Sequence, residues 1–88
     1  QELAMDTLLR GLRYSKYAIL REVVENEFAN EVPEKKREAF IRKLLPPVGN
    51  VFSAYDLSDD NFALSPEYDL LYTELTGAAV LYIDEYGV

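Results

Sequence analysis

The pattern that most constrains the fold lies at the end of the chain, where apolar residues recur at helical spacing over residues 65–86. At about 100° per residue they fall within an arc of roughly 140°, the width of a buried helix face. Ser65 can accept a backbone N–H as the N-cap, Pro66 suits the first helical position, and Gly87 marks the end. We therefore predict a helix over residues 65–86 that supplies the largest share of the core. Its predicted buried face comprises Tyr68, Leu71, Tyr72, Leu75, Ala78, Ala79, Tyr82, Ile83 and Tyr86.

The middle of this segment also permits a second interpretation. Gly77 is less favourable than Ala in a helix interior by about 1 kcal/mol, and the apolar run at residues 78–83 is compatible with a short buried strand. The helix is favoured because Gly77 falls on the polar side and no hairpin partner is evident. Val80 and Leu81 point away from the main apolar stripe. They indicate either a second packing surface or the strand.

The first third of the chain carries another helical stripe, over residues 2–30. A single long helix is the simplest interpretation, and a break at Gly11 into two shorter helices is the alternative. Tyr14 and Tyr17 lie on the polar side of this predicted helix. The stripe spans roughly 160° and consists of Met5, Leu8, Leu9, Leu12, Ile19, Leu20, Val23 and Val24.

Prolines divide the rest of the chain into elements. Pro33 suits the start of a helix that the pair Pro46-Pro47 ends, since neither of these two residues can donate an N–H. Asn50 could N-cap a short helical element near residues 50–57. The sequence thus predicts an all-α fold: a small bundle of three main helices at about 2–30, 33–45 and 65–86, plus the short element, in a single acidic helical domain spanning residues 1–88.

Charge is distributed unevenly along the chain. All nine basic residues lie between Arg10 and Lys43, whereas residues 46–88 carry eight acidic residues and no basic one. With the eight acidic residues of the first half, the two halves have net charges of +1 and −8, which sum to the −7 of the whole chain. Either the halves pack together so that the asymmetry stays within one monomer, or the acidic half faces a basic partner, another copy of this chain included.

The composition argues against catalysis. The chain contains no His and no Cys, so the commonest general base and metal ligand and the thiolate nucleophile are missing. No nucleophile motif or glycine-rich phosphate loop is present either. We predict that the protein is not an enzyme and needs no cofactor. No apolar run is long enough for a membrane span or a signal peptide, so we expect a cytoplasmic protein without a membrane partner. The start at Gln1 leaves the removal of an upstream segment open.

The remaining features predict a small acidic protein–protein interaction module of adaptor, regulatory or inhibitor type. Tyrosine is enriched in binding hot spots, so Tyr14 and Tyr17 are candidate partner-binding residues, as are Asp84 and Glu85 in the acidic half. The partner is expected to be a protein, and self-association that buries Val80 and Leu81 is a further expectation. Nucleic acid is not expected to bind, because a strongly acidic chain repels it; the basic cluster of Lys35, Lys36, Arg37, Arg42 and Lys43 is interpreted as a solvated helix face.

Two alternatives to this function remain. In the first, the carboxylates of residues 56–85 imitate nucleic-acid phosphates in front of a basic nucleic-acid-binding protein. In the second, residues 56–67 form a calcium-binding module, because they resemble the twelve-residue loop of the EF-hand family. The resemblance places Asp56, Ser58, Asp60 and Glu67 at loop positions 1, 3, 5 and 12, with the residue 62 carbonyl at position 7. Position 6 is Asn61 in place of the usual Gly, so the loop is degenerate.

Calcium titration separates the last alternative from a plain acidic turn followed by a capped helix. For the plain turn, calcium at physiological salt produces no heat in a calorimetric titration and no change in melting temperature. A rise in melting temperature that saturates with calcium would instead establish residues 56–67 as a cation site, because a ligand that binds only the native state stabilises it.

Overall fold

The computed structural model describes residues 15–87, which form an all-α fold. No strand occurs within this range, and three helices are long. The predicted fold class is therefore confirmed. The helices are α1 (Lys16–Glu27), α2 (Glu34–Leu44), the single turn α3 (Gly49–Phe52) and α4 (Pro66–Tyr86), with a 3₁₀ turn at Phe62–Leu64 before α4.

The first described helix covers only part of the predicted range of 2–30. Ser15 has extended backbone angles (φ −82°, ψ 146°), and its hydroxyl accepts the N–H of Ala18 at 3.0 Å. An N-cap of this kind starts a new helix, so α1 begins at Lys16 and no helix runs continuously through Ser15. α1 ends at Glu27, where Phe28 turns into the core. Gly11 and Tyr14 lie outside the described residues.

Helices α2 and α3 lie at the positions predicted from the prolines and from the apolar residues near 50–57. Pro33 is the N-cap of α2, which ends two residues before Pro46. α3 covers only the start of the predicted range of 50–57, and its N-cap is Val48, which makes no side-chain capping bond. The prediction that Asn50 caps this element is wrong, because Asn50 lies inside the turn and its carbonyl accepts the hydroxyl of Ser53 at 2.7 Å.

Helix α4 runs unbroken for 21 residues, so the strand interpretation of residues 78–83 is wrong. Ser65 is its N-cap as predicted, but the side chain makes no capping bond. The Ser65 hydroxyl donates instead to the carbonyl of Phe62 at 2.6 Å, which closes the preceding 3₁₀ turn. At the other end Gly87 adopts a positive φ of 74°, and its N–H donates to the carbonyl of Ile83 at 2.8 Å.

The core is one hydrophobic cluster to which all the elements contribute, and no polar or charged side chain among the described residues is buried. On the predicted face of α4, Leu71, Leu75 and Ala79 are fully buried, and most of the other members are half-buried around them. Tyr86 is the exception, with 68% of its surface exposed. It lies in the last turn of α4, where its ring packs on Tyr82 at a centroid distance of 4.9 Å.

Gly77 gives a test of the helical assignment. A Cβ built at this position meets no heavy atom within 4 Å, so Gly77→Ala adds helix propensity without a clash. We expect the free energy of unfolding to rise by about 0.5–1 kcal/mol, measured by urea denaturation. Gly87→Ala is the matched control: it also meets nothing within 4 Å, but its positive φ strains an L side chain, so it should not stabilise. Destabilisation by Gly77→Ala would contradict the helix.

Candidate functional site

The solvent side of α4 combines exposed carboxylates with exposed large apolar side chains. Leu70, Val80 and Leu81 have 59%, 43% and 69% of their surface exposed. Since Leu71, Leu75 and Ala79 face the core, the 3.6-residue period places these three residues outward. All five carboxylates of the helix are exposed as well. We call this surface the acidic apolar face; its residues are Glu67, Asp69, Leu70, Glu74, Val80, Leu81, Asp84 and Glu85.

The carboxylates of the acidic apolar face are not neutralised by the described part of the chain. The two ion pairs found there are Arg37 with Glu25 and Arg42 with Glu38, both with N–O distances of 3.0 Å. Both pairs lie within the first half of the sequence. No carboxylate of α4 forms an ion pair with any residue from 15 to 87, and the last turn of α4 contains no basic residue. Five of the eight negative charges of the second half therefore lie on exposed α4 side chains without a cationic partner between residues 15 and 87.

Arg37 binds the turn between α1 and α2 and a carboxylate of α1. Its guanidinium donates to Glu25 at 3.0 Å and to the carbonyls of Ala29 and Val32 at 3.3 and 3.2 Å. Sequence reasoning missed this contact, since the predicted cluster placed Arg37 on a solvated face. The two acceptor carbonyls belong to a turn whose position depends on how α1 and α2 pack, so no local pattern reveals the bond.

Tyrosine hydroxyls bind carboxylates at the rim of the core. Tyr68 donates to Glu22 at 2.6 Å and Tyr72 to Glu27 at 3.2 Å, which joins α4 to α1. Burial is the main cause of a raised pKa at Tyr72, and the charge of Glu27 adds to it. The rings of Tyr68 and Tyr72 therefore pack against the core while their hydroxyls lie at its rim.

The four predicted partner-binding residues do not form one site. Asp84 and Glu85 belong to the acidic apolar face. Tyr17 is half-buried against the core and lines a groove of about 370 Å³ between α1 and α2, together with Arg21 and residues of α2 but none of α4. Tyr14 lies outside the described residues.

A second surface, which sequence reasoning did not find, lies between α2 and the end of α4. It is a cleft of about 400 Å³, and we call it the basic aromatic cleft. The only sequence feature that pointed to this cleft is a pair of exposed lysines of the predicted basic cluster, seven residues apart on α2. Their juxtaposition with the tyrosines at the end of α4 depends on tertiary packing. The lining residues are Lys36, Ala39, Phe40, Lys43, Tyr82, Tyr86 and Gly87.

The loop that resembles an EF-hand is held by its own short-range hydrogen bonds. Asp56 Oδ1 accepts both the Ser58 hydroxyl at 2.6 Å and the Ser58 N–H at 3.0 Å. The 3₁₀ turn at Phe62–Leu64 occupies loop positions 7 to 9. Between residues 15 and 87 no three Asp or Glu side chains are grouped so that they could hold a metal ion. Calcium binding by Asp56, Ser58, Asp60 and Glu67 stays a prediction for the titration to decide.

Comparison with known proteins defines the family of this chain but not its activity. The chain belongs to the family described as Domain of unknown function (DUF1896), whose model matches residues 1–88. No curated protein and no solved structure matches the chain. None of the described helices is both long enough and apolar enough to cross a membrane. The function must therefore be inferred from the surfaces themselves.

The hydrogen bonds of Asp56 give a pH prediction. The Ser58 hydroxyl is the largest cause of a lowered pKa at Asp56, and the Ser58 N–H adds to it, since both stabilise the carboxylate. Ser58→Ala should therefore raise the Asp56 pKa toward the ordinary value of 3.8, measured by NMR titration of the side-chain carboxyl. Because the Asp56 pKa is lower in the folded than in the unfolded state, the ionised carboxylate stabilises the fold. This stabilisation is fully present above the unfolded-state pKa and is lost as pH falls through the lower folded-state pKa. Ser53→Ala, which does not touch Asp56, is the control; an unchanged Asp56 pKa in Ser58→Ala would refute the assignment.

Proposed function

We propose that this domain is a small protein–protein interaction module with no chemistry of its own, and that the acidic apolar face of α4 binds a basic amphipathic helix of a partner protein. The observation that carries the proposal is that the α4 carboxylates surround exposed apolar side chains and form no ion pair with the described residues. Apolar side chains supply the affinity of such a contact, and charge supplies its specificity and association rate.

The apolar residues of the face have the spacing that a helical partner requires. Leu70, Gly77 and Leu81 are separated by seven and four residues, so they lie along one line of the helix surface. Single exposed apolar residues are ordinary, whereas Leu70 and Leu81 lie on the same side of one helix, which supports an interaction surface there. Gly77 leaves open space between the two leucines, since a Cβ there would meet nothing within 4 Å. A side chain of a partner helix can enter that gap, as in recognition through i, i+3, i+4 and i+7 anchors.

The charge of the face selects a basic partner. Five carboxylates lie on α4 with no Lys or Arg among its 21 residues, and the C-terminal end of the helix dipole adds negative potential. A partner helix with Lys or Arg flanking its apolar stripe would be attracted to this face and oriented on it. The same charge disfavours a second copy of the chain, because a two-fold contact would bring two sets of α4 carboxylates together.

The apolar residues also distinguish this proposal from nucleic-acid mimicry. A mimic needs carboxylates at phosphate-like positions, and its binding is lost between low and moderate salt. Binding through Leu70 and Leu81 is largely insensitive to salt, since burial of apolar surface does not depend on screening.

The proposal is tested with residues 1–88 and a fluorescent helical peptide that carries leucines on one face and lysines on the other. The double variant Leu70→Ser/Leu81→Ser should weaken binding at least about tenfold in a fluorescence anisotropy titration, since anchor residues each contribute more than about 1 kcal/mol. Leu64→Ser is the control, because Leu64 is 85% exposed but lies before α4. It should leave the affinity unchanged.

Charge variants separate specific from general attraction. Asp84→Asn/Glu85→Gln and Asp59→Asn/Asp60→Asn remove the same number of charges, but only the first pair belongs to the acidic apolar face. The first pair should weaken peptide binding more than the second. Equal losses of affinity in the two pairs would show that the peptide responds only to net charge, which would overturn the proposal. A dimer in sedimentation equilibrium that Leu81→Ser dissociates would also overturn it, because the face would then bind a second copy of the chain.

A further inference from the structure

The basic aromatic cleft lies on the side of the molecule that the proposed protein interaction does not use. Its floor is the buried ring of Phe40, which Tyr82 contacts edge-on at a centroid distance of 5.9 Å and an angle of 62°. Lys36 and Lys43 form the α2 side, and Tyr82 and Tyr86 form the α4 side. We propose that this cleft binds a phosphate monoester that carries a planar aromatic ring, the chemistry of a nucleoside monophosphate.

The aromatic side of the cleft offers an accessible ring for stacking. Tyr82 and Tyr86 pack at 4.9 Å with their planes inclined by 43°, and Tyr86 remains 68% exposed. Gly87 lines the same end of the cleft and contributes no side chain there. Exposed tyrosines stack on the face of any nucleobase, because every base presents a π-system. The ligand is therefore expected to be aromatic and not merely anionic.

The basic side of the cleft supplies two uncommitted ammonium groups. Lys36 and Lys43 are exposed and form no ion pair with a described residue, whereas Arg37 and Arg42 on the same helix are paired. Seven residues of helix separate the two lysines by about 10 Å along the axis, on either side of Phe40. A phosphate monoester carries between one and two negative charges near neutral pH, which matches two cations better than a single carboxylate does.

The two sides orient the ligand. With its ring against the tyrosines of α4, the phosphate lies toward α2 and away from the carboxylates of α4. The cleft volume of about 400 Å³ falls within the roughly 300–1,000 Å³ of small-molecule sites. A long polyanion is disfavoured by the net charge of −7, so a single nucleotide fits the electrostatics better than a nucleic-acid strand.

The inference is tested by isothermal titration of residues 1–88 with adenosine 5′-monophosphate at low ionic strength. We expect a dissociation constant of about 1 mM or tighter for the nucleotide. Adenosine should bind more weakly because it lacks the phosphate, and inorganic phosphate should bind more weakly because it lacks the aromatic ring. The double variant Lys36→Gln/Lys43→Gln should bind the nucleotide at least about fivefold more weakly. The control Lys16→Gln/Lys35→Gln removes the same charge outside the cleft and should leave binding unchanged. Tyr86→Leu should weaken binding of the nucleotide but not of inorganic phosphate.

Each outcome bears on the inference. A 5′-phosphorylated single-stranded oligonucleotide that binds with the same dependence on Lys36, Lys43 and Tyr86 would support the site and assign it to a strand end. No binding of the nucleotide, or equal losses in the two lysine double variants, would overturn the inference. Circular dichroism of every variant shows whether the fold is retained. The variants of the acidic apolar face should bind the nucleotide normally, so the two proposals fail separately.

Discussion

The structure depends on the burial of one stripe of α4 against the rest of the molecule. Leu71, Leu75 and Ala79 are completely excluded from solvent, in one cluster with the four apolar residues of α1 that were predicted to face inward. At roughly 25 cal/mol per Å² of apolar surface, such burial is the main force that holds a chain of this size together. Because the stripe occupies only one side of α4, the opposite side is left to solvent. The acidic apolar face is therefore a direct consequence of how the core is made.

Hydrogen bonds at the rim of the core align the helices once the core has formed. Tyr68 and Tyr72 present apolar rings to the cluster and donate their hydroxyls to Glu22 and Glu27 of α1. Arg37 links α2 to the end of α1 in the same way, through Glu25 and two backbone carbonyls. These bonds engage several of the acidic residues of the first half, while the carboxylates of α4 keep no cationic partner in the described chain. Among residues 15–87, the electrical asymmetry of the sequence is thus retained on the surface of α4.

The two surfaces nominated for binding have opposite chemistry. The acidic apolar face offers carboxylates around leucines, and the basic aromatic cleft offers ammonium groups beside tyrosine rings. Both include residues of α4, which reaches solvent on one side and meets α2 near its end. A single long helix thereby contributes a buried stripe to the core, the surface proposed to bind a basic protein and one side of the cleft proposed to bind a small anion.

Sequence periodicity was sufficient to predict the all-α class, the positions of α2 and α4 and the buried residues of α1, because amphipathic spacing and proline act locally. It also identified Val80 and Leu81 as residues that face away from the core. It missed the helix start at Ser15 and wrongly placed an N-cap at Asn50, whereas Ser65 is the N-cap as predicted but donates its hydroxyl to Phe62 instead of capping α4. Only the tertiary structure decided that Arg37 is held by the α1–α2 turn, that Tyr86 is exposed and that Lys36 and Lys43 face Tyr82. The Arg37 contacts depend on how α1 and α2 pack, and the cleft brings together residues far apart in the chain. Both follow from the packing of the whole core, which no local pattern encodes.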